Sequence, residues 1–167
     1  MPIGLIDSRL LLDLKKELKN TFGEIEVGRG LKLNHNGYNP KRRQFKADII
    51  LENLREVSLN SEAEKVIGIT NVDIYTPGLN FIFGQAYING KVCLISLYRL
   101  FTPNYDLLLE RATKEATHEL GHCYGLRHCN NMQCVMSFSN NIYEVDRKSK
   151  FFCRKCRLLL ENSKSRT

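Results

Sequence analysis

The sequence predicts a single mixed α/β (α+β) domain over residues 1–167. Apolar residues recur at helical spacing in residues 9–23 and 104–125, and β-branched residues are concentrated in residues 65–75. Helical and strand-like segments alternate along the chain, which is typical of helices packed on a sheet. A chain of this length can bury a core of its own, so we expect one monomeric domain.

The first half of the chain is predicted to begin with a helix. Residues 9–23, RLLLDLKKELKNTFG, end at Gly23, a common helix stop. EIEV, residues 24–27, alternates like a short strand, and residues 28–43 are rich in Gly, Asn and basic residues and predict a loop. FKADIILENLREV, residues 45–57, predicts a second helix.

Two strand-like segments follow in the middle of the chain. KVIGITNVDIY, residues 65–75, is rich in β-branched residues and predicts one strand. FIFGQAYINGKVCLISLYRL, residues 81–100, has Asn89 and Gly90 between two apolar runs, which is the strongest short signal for a hairpin with a type I′ turn. We therefore expect an antiparallel strand pair here.

A long helix is predicted in the last third of the chain. Pro103 opens the stretch NYDLLLERATKEATHELGHCYG, whose apolar side chains line one side. Gly125 is a natural helix terminator. Beyond it we expect little regular structure until a short helix near CRKCRLLLENS, residues 153–163.

Composition and charge favour a cytoplasmic protein without a membrane partner. The chain is 43% hydrophobic and 26% charged, which is ordinary for a globular protein. No apolar run is long enough to cross a bilayer, and charges interrupt the N-terminal segment where a signal peptide needs an apolar core. The net charge of +7, with basic residues at 41–43 and 147–157, is compatible with nucleic-acid binding. For so mixed a sequence we favour a solvated basic face.

The segment HELGHCYGLRHCNNMQCVM, which begins at His118, has the residue types and spacing of a metal site. His118 and His122 are four apart on a predicted helix, so both imidazoles lie on one face. Glu119 points about 100° further round the helix, where it can reach a metal-bound water without being a ligand. Gly125 lets the chain turn back, so that His128 supplies a third imidazole. Three histidines with an open fourth position indicate a catalytic zinc of the kind found in peptidases.

The six cysteines divide into two groups. Cys93 and Cys123 stand alone among apolar neighbours and are predicted to be buried free thiols. A disulfide framework does not suit a reducing compartment, so close pairs of cysteines favour a closed four-thiolate zinc site within residues 129–156. The four predicted ligands are Cys129, Cys134, Cys153 and Cys156.

The two predicted zinc sites share one loop. Cys129 directly follows His128, and Cys134 lies two residues before Met136 in a tight CVM turn. A second zinc would clamp the loop that carries the third histidine and would contribute folding free energy. We therefore expect two zinc ions per chain, one catalytic and one structural.

The whole pattern resembles the archaemetzincins, which are small zinc peptidases of the metzincin type. HExxHxxGxxHC, C-x-M ending at Met136, and a distal C-x-x-C match that family between Thr117 and Cys156. DIYTPGLNFIFGQA and RRQF upstream also look like segments of the family. The resemblance implies a metzincin-like zincin domain with a mixed twisted sheet, an active-site helix below a cleft and a zinc-clamped C-terminal segment.

The resemblance also implies where a substrate binds. In metzincins an edge strand pairs with the peptide as an added strand, and the first arm of the predicted hairpin is the candidate. Ordinary outward-facing strand positions remain an alternative account of its polar side chains. The candidate residues are Phe83, Gln85 and Tyr87.

These observations support a zinc-dependent peptidase in which a zinc-activated water attacks the peptide bond and Glu119 is the general base. Cleavage within a chain and cleavage at its N-terminus both stay open. Two other classes compete: a nucleic-acid-binding zinc protein and a peptide-binding protein with little or no turnover. A binding module has no use for Glu119 or an open three-histidine site, so we favour the peptidase. Glu115, one turn before His118, is either a second-layer partner of the site or a solvated helix position.

Overall fold

The computed structural model describes residues 1–165, and five α-helices lie among them. Four of the five occupy segments that the sequence predicts as helical, and the short fourth helix was not predicted. None of the helices in this part of the chain is both long and apolar enough to span a membrane. The helices are α1 Ser8–Phe22, α2 Ala47–Val57, α3 Tyr105–Cys123, α4 Ile142–Arg147 and α5 Arg154–Lys164.

The strands form one mixed four-stranded sheet and one small three-stranded sheet. They are β1 Pro2–Ile3, β2 Tyr38–Asn39, β3 Gln44–Lys46, β4 Val66–Thr70, β5 Ile74–Tyr75, β6 Gly84–Ala86 and β7 Val92–Ser96. The larger sheet has the order β1-β4-β7-β6, in which β1, β4 and β7 are parallel and β6 runs antiparallel to β7. The smaller sheet has the order β2-β3-β5. Strand β6 is therefore an edge strand.

Helices cover both faces of the larger sheet. The side chains of β7 alternate between the two cores: Cys93 and Ile95 pack with α1 and α3, whereas Val92 and Leu94 pack with α2. All four are fully buried, which explains why this strand reads as a continuous apolar run. A third cluster joins the loop after α3 to α5 and includes Met136.

The two isolated cysteines are buried free thiols, as the sequence predicts. Cys93 lies in β7 and Cys123 lies in α3, and both are fully buried.

The predicted strand at residues 24–27 is wrong. Ile25 packs against the core beside α1, and Glu24 forms an ion pair with Lys19 at 2.7 Å, but the segment has no strand partner among residues 1–165. The outer side of β1 is occupied instead by Leu31, whose N–H donates to Pro2 O at 2.8 Å. A short alternating segment becomes a strand only where a sheet edge is free to pair with it.

The predicted strand at residues 65–75 divides into β4 and β5, which lie in different sheets. The break is held by Asp73, whose carboxylate accepts two hydrogen bonds from Arg99, each 2.7 Å long. The backbone carbonyl of Asp73 also accepts from Phe45 N–H at 2.8 Å. Contacts from distant parts of the chain therefore decide where one strand ends and the next begins.

The hairpin of β6 and β7 is confirmed, but its predicted type I′ turn is wrong. The turn is closed by Gly90 N–H donating to Tyr87 O at 2.8 Å, and only Asn89 has a positive φ, at 57°. A type I′ turn at Asn89 and Gly90 needs positive φ at both residues. The reason is tertiary, because Asn89 N–H donates to His122 O at 3.1 Å and ties the hairpin tip to the end of α3.

Candidate metal centre and cleft

Three histidines converge at the C-terminal end of α3. His118 and His122 lie one turn apart on the helix, and His128 lies in the loop that follows it. One ring nitrogen from each lies within 4.8 Å of the other two, and Nε2 of His118 is 3.1 Å from Nε2 of His122. Two nitrogens bound to one tetrahedral zinc at about 2.0–2.1 Å would be about 3.3 Å apart. The spacing of these nitrogens therefore fits zinc.

The hydrogen bonds of the two helical histidines favour the tautomer that a metal requires. Nδ1 of His118 lies 2.8 Å from Val135 O, and Nδ1 of His122 lies 2.7 Å from Leu126 O. A proton on each Nδ1 satisfies these carbonyls and leaves each Nε2 as an acceptor. Two acceptors do not hydrogen-bond to each other, so with this tautomer the close approach of the two Nε2 atoms fits a cation held between them. Burial lowers the pKa of all three imidazoles, which favours the neutral, metal-binding form.

The end of α3 positions the third histidine. Gly125 has φ 86°, and its N–H donates to His122 O at 2.8 Å while Leu126 N–H donates to Gly121 O at 3.0 Å. These two bonds around a left-handed residue form a Schellman motif. A β-carbon at Gly125 would also collide with Asn89 Oδ1. The predicted helix terminator therefore turns the chain back toward the metal centre and also makes room for the hairpin tip.

Glu119 lies beside the histidines, directly beneath the edge strand. Its side chain is buried, and a β-carbon at Gly84 would lie 2.6 Å from both Cγ and Oε1 of Glu119. The glycine is thus what lets β6 pass so close to this carboxylate. Burial and, next, the charge of Glu115 raise the pKa of Glu119, and a cation held by the histidines acts in the opposite direction. Sequence reasoning missed Gly84, although an isolated glycine in a strand often marks a close approach.

The four predicted cysteine ligands form a second cluster. Their Sγ atoms all lie within 4.8 Å of one another, and Sγ of Cys129 is 3.9 Å from Sγ of Cys153. Two thiolates bound to one tetrahedral zinc at about 2.3 Å would be about 3.8 Å apart. Hydrogen bonding from the Cys156 backbone, chiefly, lowers the pKa of Cys153 to about 7. The cluster therefore has the spacing of a zinc site and holds one thiol that ionises readily.

The two clusters are joined through the chain segment between them. Val135, which accepts the hydrogen bond from His118, directly follows Cys134. Cys129 directly follows the third histidine, and its N–H donates to Met136 O at 2.9 Å. Met136 is fully buried against α3. The shared loop that the sequence predicts thus contacts the histidine centre at both of its ends.

A cleft of about 500 Å³ opens between β6 and the histidines. Of the predicted substrate-binding residues, Phe83 and Gln85 line it. Phe83 is buried in the core, whereas Gln85 Nε2 donates to Asp48 Oδ1 at 2.6 Å and Tyr87 Oη donates to Glu52 Oε2 at 3.2 Å. The amide nitrogen of Gln85 and the hydroxyl of Tyr87 therefore both bind α2, whereas Gln85 Oε1 is buried without a hydrogen-bond partner among residues 1–165.

Known proteins match the chain along nearly its whole length. The family model described as Peptidase family M54 matches residues 11–162. The chain belongs to this family. An archaemetzincin from Methanopyrus kandleri is 44% identical over 153 residues, which cover 91% of this chain and 86% of the relative.

Solved structures agree with this assignment. The crystal structure of an archaemetzincin from Methanopyrus kandleri has a TM-score of 0.90 at 40% identity and covers 99% of this chain and 96% of its own. A zinc-dependent peptidase from Methanocorpusculum labreanum has a TM-score of 0.83 at 28% identity, with 95% and 98% of the two chains covered. This M54 peptidase is a zinc metallopeptidase with a mixed α/β fold, so the predicted fold class, family and enzyme class are confirmed.

The free edge of the peptidase's larger sheet faces the cleft. Within the β6–β7 pair, Phe83 O accepts a hydrogen bond of 2.8 Å from the strand β7, and Tyr87 N–H donates one of 3.3 Å back to it. Because backbone groups alternate along an antiparallel ladder, those of Gly84 and Ala86 point away from β7. Within residues 1–165, the edge strand therefore presents backbone groups that pair with no other strand beside Glu119.

One wall of the cleft is supported by the upstream segments that resemble the family. Arg42 Nη2 donates to Asn80 O at 2.8 Å, and Gln44 Nε2 donates to Asn80 O at 2.9 Å and to Asp73 Oδ2 at 3.1 Å. Arg99 closes this network through its two bonds to Asp73. These polar contacts hold the segment that leads into β6. The basic loop at residues 41–43 therefore has a structural role.

Glu115 is not a solvated helix position, so that alternative is wrong. Its side chain is 4% exposed, and Oε1 lies 2.8 Å from Nζ of Lys148, whose side chain is 1% exposed. Both residues line the cleft. Lys150 also forms an ion pair, with Glu17 at 2.5 Å. Two lysines of the basic cluster at residues 147–157 are therefore neutralised by ion pairs within the protein. Fewer positive charges are available to a nucleic acid than the sequence suggests.

Proposed function

We propose that the peptidase cleaves peptide bonds with a zinc ion held by His118, His122 and His128 and with Glu119 as general base. The proposal is supported by three imidazoles with metal-ligand spacing and one buried carboxylate in the same cleft, beneath a strand edge that pairs with no other strand among residues 1–165. A site of this kind leaves one metal position open for water or substrate.

Bound zinc would supply a water of lowered pKa and would polarise the scissile carbonyl. Glu119 accepts the proton of the attacking water and later donates it to the departing amine, because a carboxylate held beside the reacting atoms can shuttle a proton without diffusion. The backbone groups of Gly84 and Ala86 hold an extended peptide as an added strand. This pairing keeps the peptide within reach of Glu119, which lies against Gly84.

We also propose a second, structural zinc ion at the four cysteines, so that each chain holds two. All four thiols are used, so no position is left for substrate. Held by these four thiols, zinc would fix the segment from Cys129 to Met136. That segment supplies the carbonyl of Val135 to His118 and directly follows His128. Loss of the cysteine site would therefore loosen two ligands of the histidine site.

The test of the general base is Glu119→Gln, which keeps the size of the side chain and removes its basicity. Zinc content and melting temperature should match the parent, whereas turnover of the best peptide from a library should fall by about 10²–10⁴-fold. His128→Ala is the matched control and should lose zinc from the histidine site. A Glu119→Gln protein that cleaves at the parental rate would exclude Glu119 as the base. A parent that binds peptides and cleaves none would favour the peptide-binding alternative.

A further inference from the structure

Lys148 is a buried cation in the wall of the cleft. Long charged side chains are rarely fully buried unless they are paired, and here the pairing carboxylate is Glu115, with Nζ and Oε1 2.8 Å apart. The pair lines the same cleft as His118 and Glu119. Buried ion pairs add little to stability compared with apolar packing. Stability alone therefore does not explain why this ion pair lies in the cleft.

The backbone of Lys148 is held firmly by its neighbours. Lys148 is the C-cap residue directly after α4, and its N–H donates to Glu144 O at 3.2 Å. Two residues earlier, Asp146 accepts hydrogen bonds of 2.7 and 2.6 Å from Arg111 of α3. Lys114 of the same helix donates to Asp146 O at 3.0 Å. The short helix is thus attached to the helix that carries the metal ligands, and the ammonium group is pre-positioned.

The ammonium group keeps unused hydrogen-bonding capacity. It has three N–H donors, and besides Glu115 its contact among residues 1–165 is a long one of 3.4 Å to Ser137 O. Ser139 also lines the cleft, and its Oγ is buried and has no hydrogen-bond partner within the described part of the chain. Within the described part of the chain, the Lys148 ammonium therefore has a donor to spare and the Ser139 hydroxyl has no partner, and both residues line one cavity.

The charges around the cleft favour an anionic ligand. The charges of Lys148 and Glu115 cancel each other. A zinc ion at the histidines would bring two positive charges against the one negative charge of Glu119, and Arg127 also lines the cleft. A carboxylate entering here gains charge-assisted hydrogen bonds. An ammonium group would be repelled by the zinc ion and by the two basic side chains, and an alkyl chain offers no acceptor to the Lys148 ammonium or the Ser139 hydroxyl.

We propose that Lys148 and Ser139 form a carboxylate-binding subsite of the cleft, so that the peptidase prefers substrates with a carboxylate beside the scissile bond. The carboxylate belongs either to an acidic side chain or to the C-terminus of a short peptide. The subsite rests on the proposed function in one respect, namely that this cleft is where peptides are cleaved.

The experiment uses one cleaved peptide and its close variants with the zinc-loaded protein. Each residue next to the scissile bond is replaced in turn by Asp, Asn, Leu and Lys, and every peptide is made with a free and an amidated C-terminus. Asp should exceed Asn by about 10–100-fold in kcat/KM, the range expected for a hydrogen bond to a charged group. If the C-terminus is the source, the same ratio separates acid from amide instead.

Variants of the pair separate a subsite from a merely structural ion pair. Glu115→Gln should raise the Asp-to-Asn ratio, because Lys148 is no longer neutralised. Lys148→Met leaves a buried carboxylate unpaired and can unfold the protein, so the double variant Lys148→Met with Glu115→Gln is the decisive one and should bring the ratio close to one. Lys150→Met removes a nearby ion-paired lysine outside the cleft and should leave the ratio unchanged.

Two results would overturn the subsite. The first is that the parent cleaves Asp and Asn peptides equally well and also cleaves the free-acid and amidated peptides equally well. The second is that the double variant keeps the full preference for a carboxylate. If the parent cleaves no peptide, the proposed function fails. Calorimetric binding of the same peptide pairs to the parent and to the double variant then decides the subsite separately. Equal affinity for the carboxylate and amide forms would exclude it.

Discussion

Gly84→Ala should displace Glu119 while leaving the metal ligands alone. The new β-carbon would lie 2.6 Å from Cγ of Glu119 and 2.7 Å from Leu94 O. Carbon atoms in contact are about 3.5–4.0 Å apart, so Glu119 must move by about 1 Å. A displacement of about 1 Å in a catalytic group can lower the rate by about 10²-fold.

The effect on stability should be moderate. Overpacking a well-packed site costs about 1–3 kcal/mol in the free energy of unfolding. For a chain of this size each kcal/mol lowers the melting temperature by about 2–4 °C. The three histidines do not contact the new methyl group among its nearest neighbours, so zinc content should not change.

The assay measures kcat and KM separately, together with zinc content and melting temperature. A fall of about 10²-fold in kcat with zinc retained is the expected result. The matched control is Gly30→Ala, whose β-carbon would lie 3.6 Å from Pro2 Cγ, an ordinary contact. Parental turnover in Gly84→Ala would refute the close approach of β6 to Glu119. Equal losses in both variants would show that the effect is not specific to this contact.

Four further outcomes are expected. Gly125→Ala should weaken zinc binding at the histidines, measured by competition with a chromophoric chelator, because its φ of 86° disfavours a β-carbon. Cys156→Ser should lower the melting temperature and reduce zinc to one ion per chain by elemental analysis. Timed chelation should remove zinc from the histidines before the cysteines, since the histidine site is open and has fewer ligands. Zinc-stripped protein should lose stability as pH falls below about 6.5, since unfolded imidazoles bind protons that buried His118 and His122 resist; melting curves across pH would check this.

The clustering of the candidate metal ligands and most of the helices could be predicted from the sequence because their signals are local. His118 and His122 share a helical face through spacing alone, and Gly125 marks the helix end through its freedom to adopt positive φ. The four cysteines needed more, since Cys129 and Cys153 are 24 residues apart. That these four thiols come together was nevertheless predictable, because two close pairs of cysteines separated by a loop are typical of zinc sites.

Only the tertiary structure decided the features that depend on distant partners. Whether residues 24–27 form a strand depended on a sheet edge that Leu31 occupies, and the turn at Asn89 was set by a bond to His122. The same holds in the cleft. The sequence gives no sign that Gly84 lies against Glu119, because the two meet only in the folded protein. Likewise, Lys148 looks like one of many surface charges in the sequence, whereas the fold buries it against Glu115. Local sequence determines which residues can bind a metal, whereas burial and close approach belong to pairs of segments that the chain brings together only on folding.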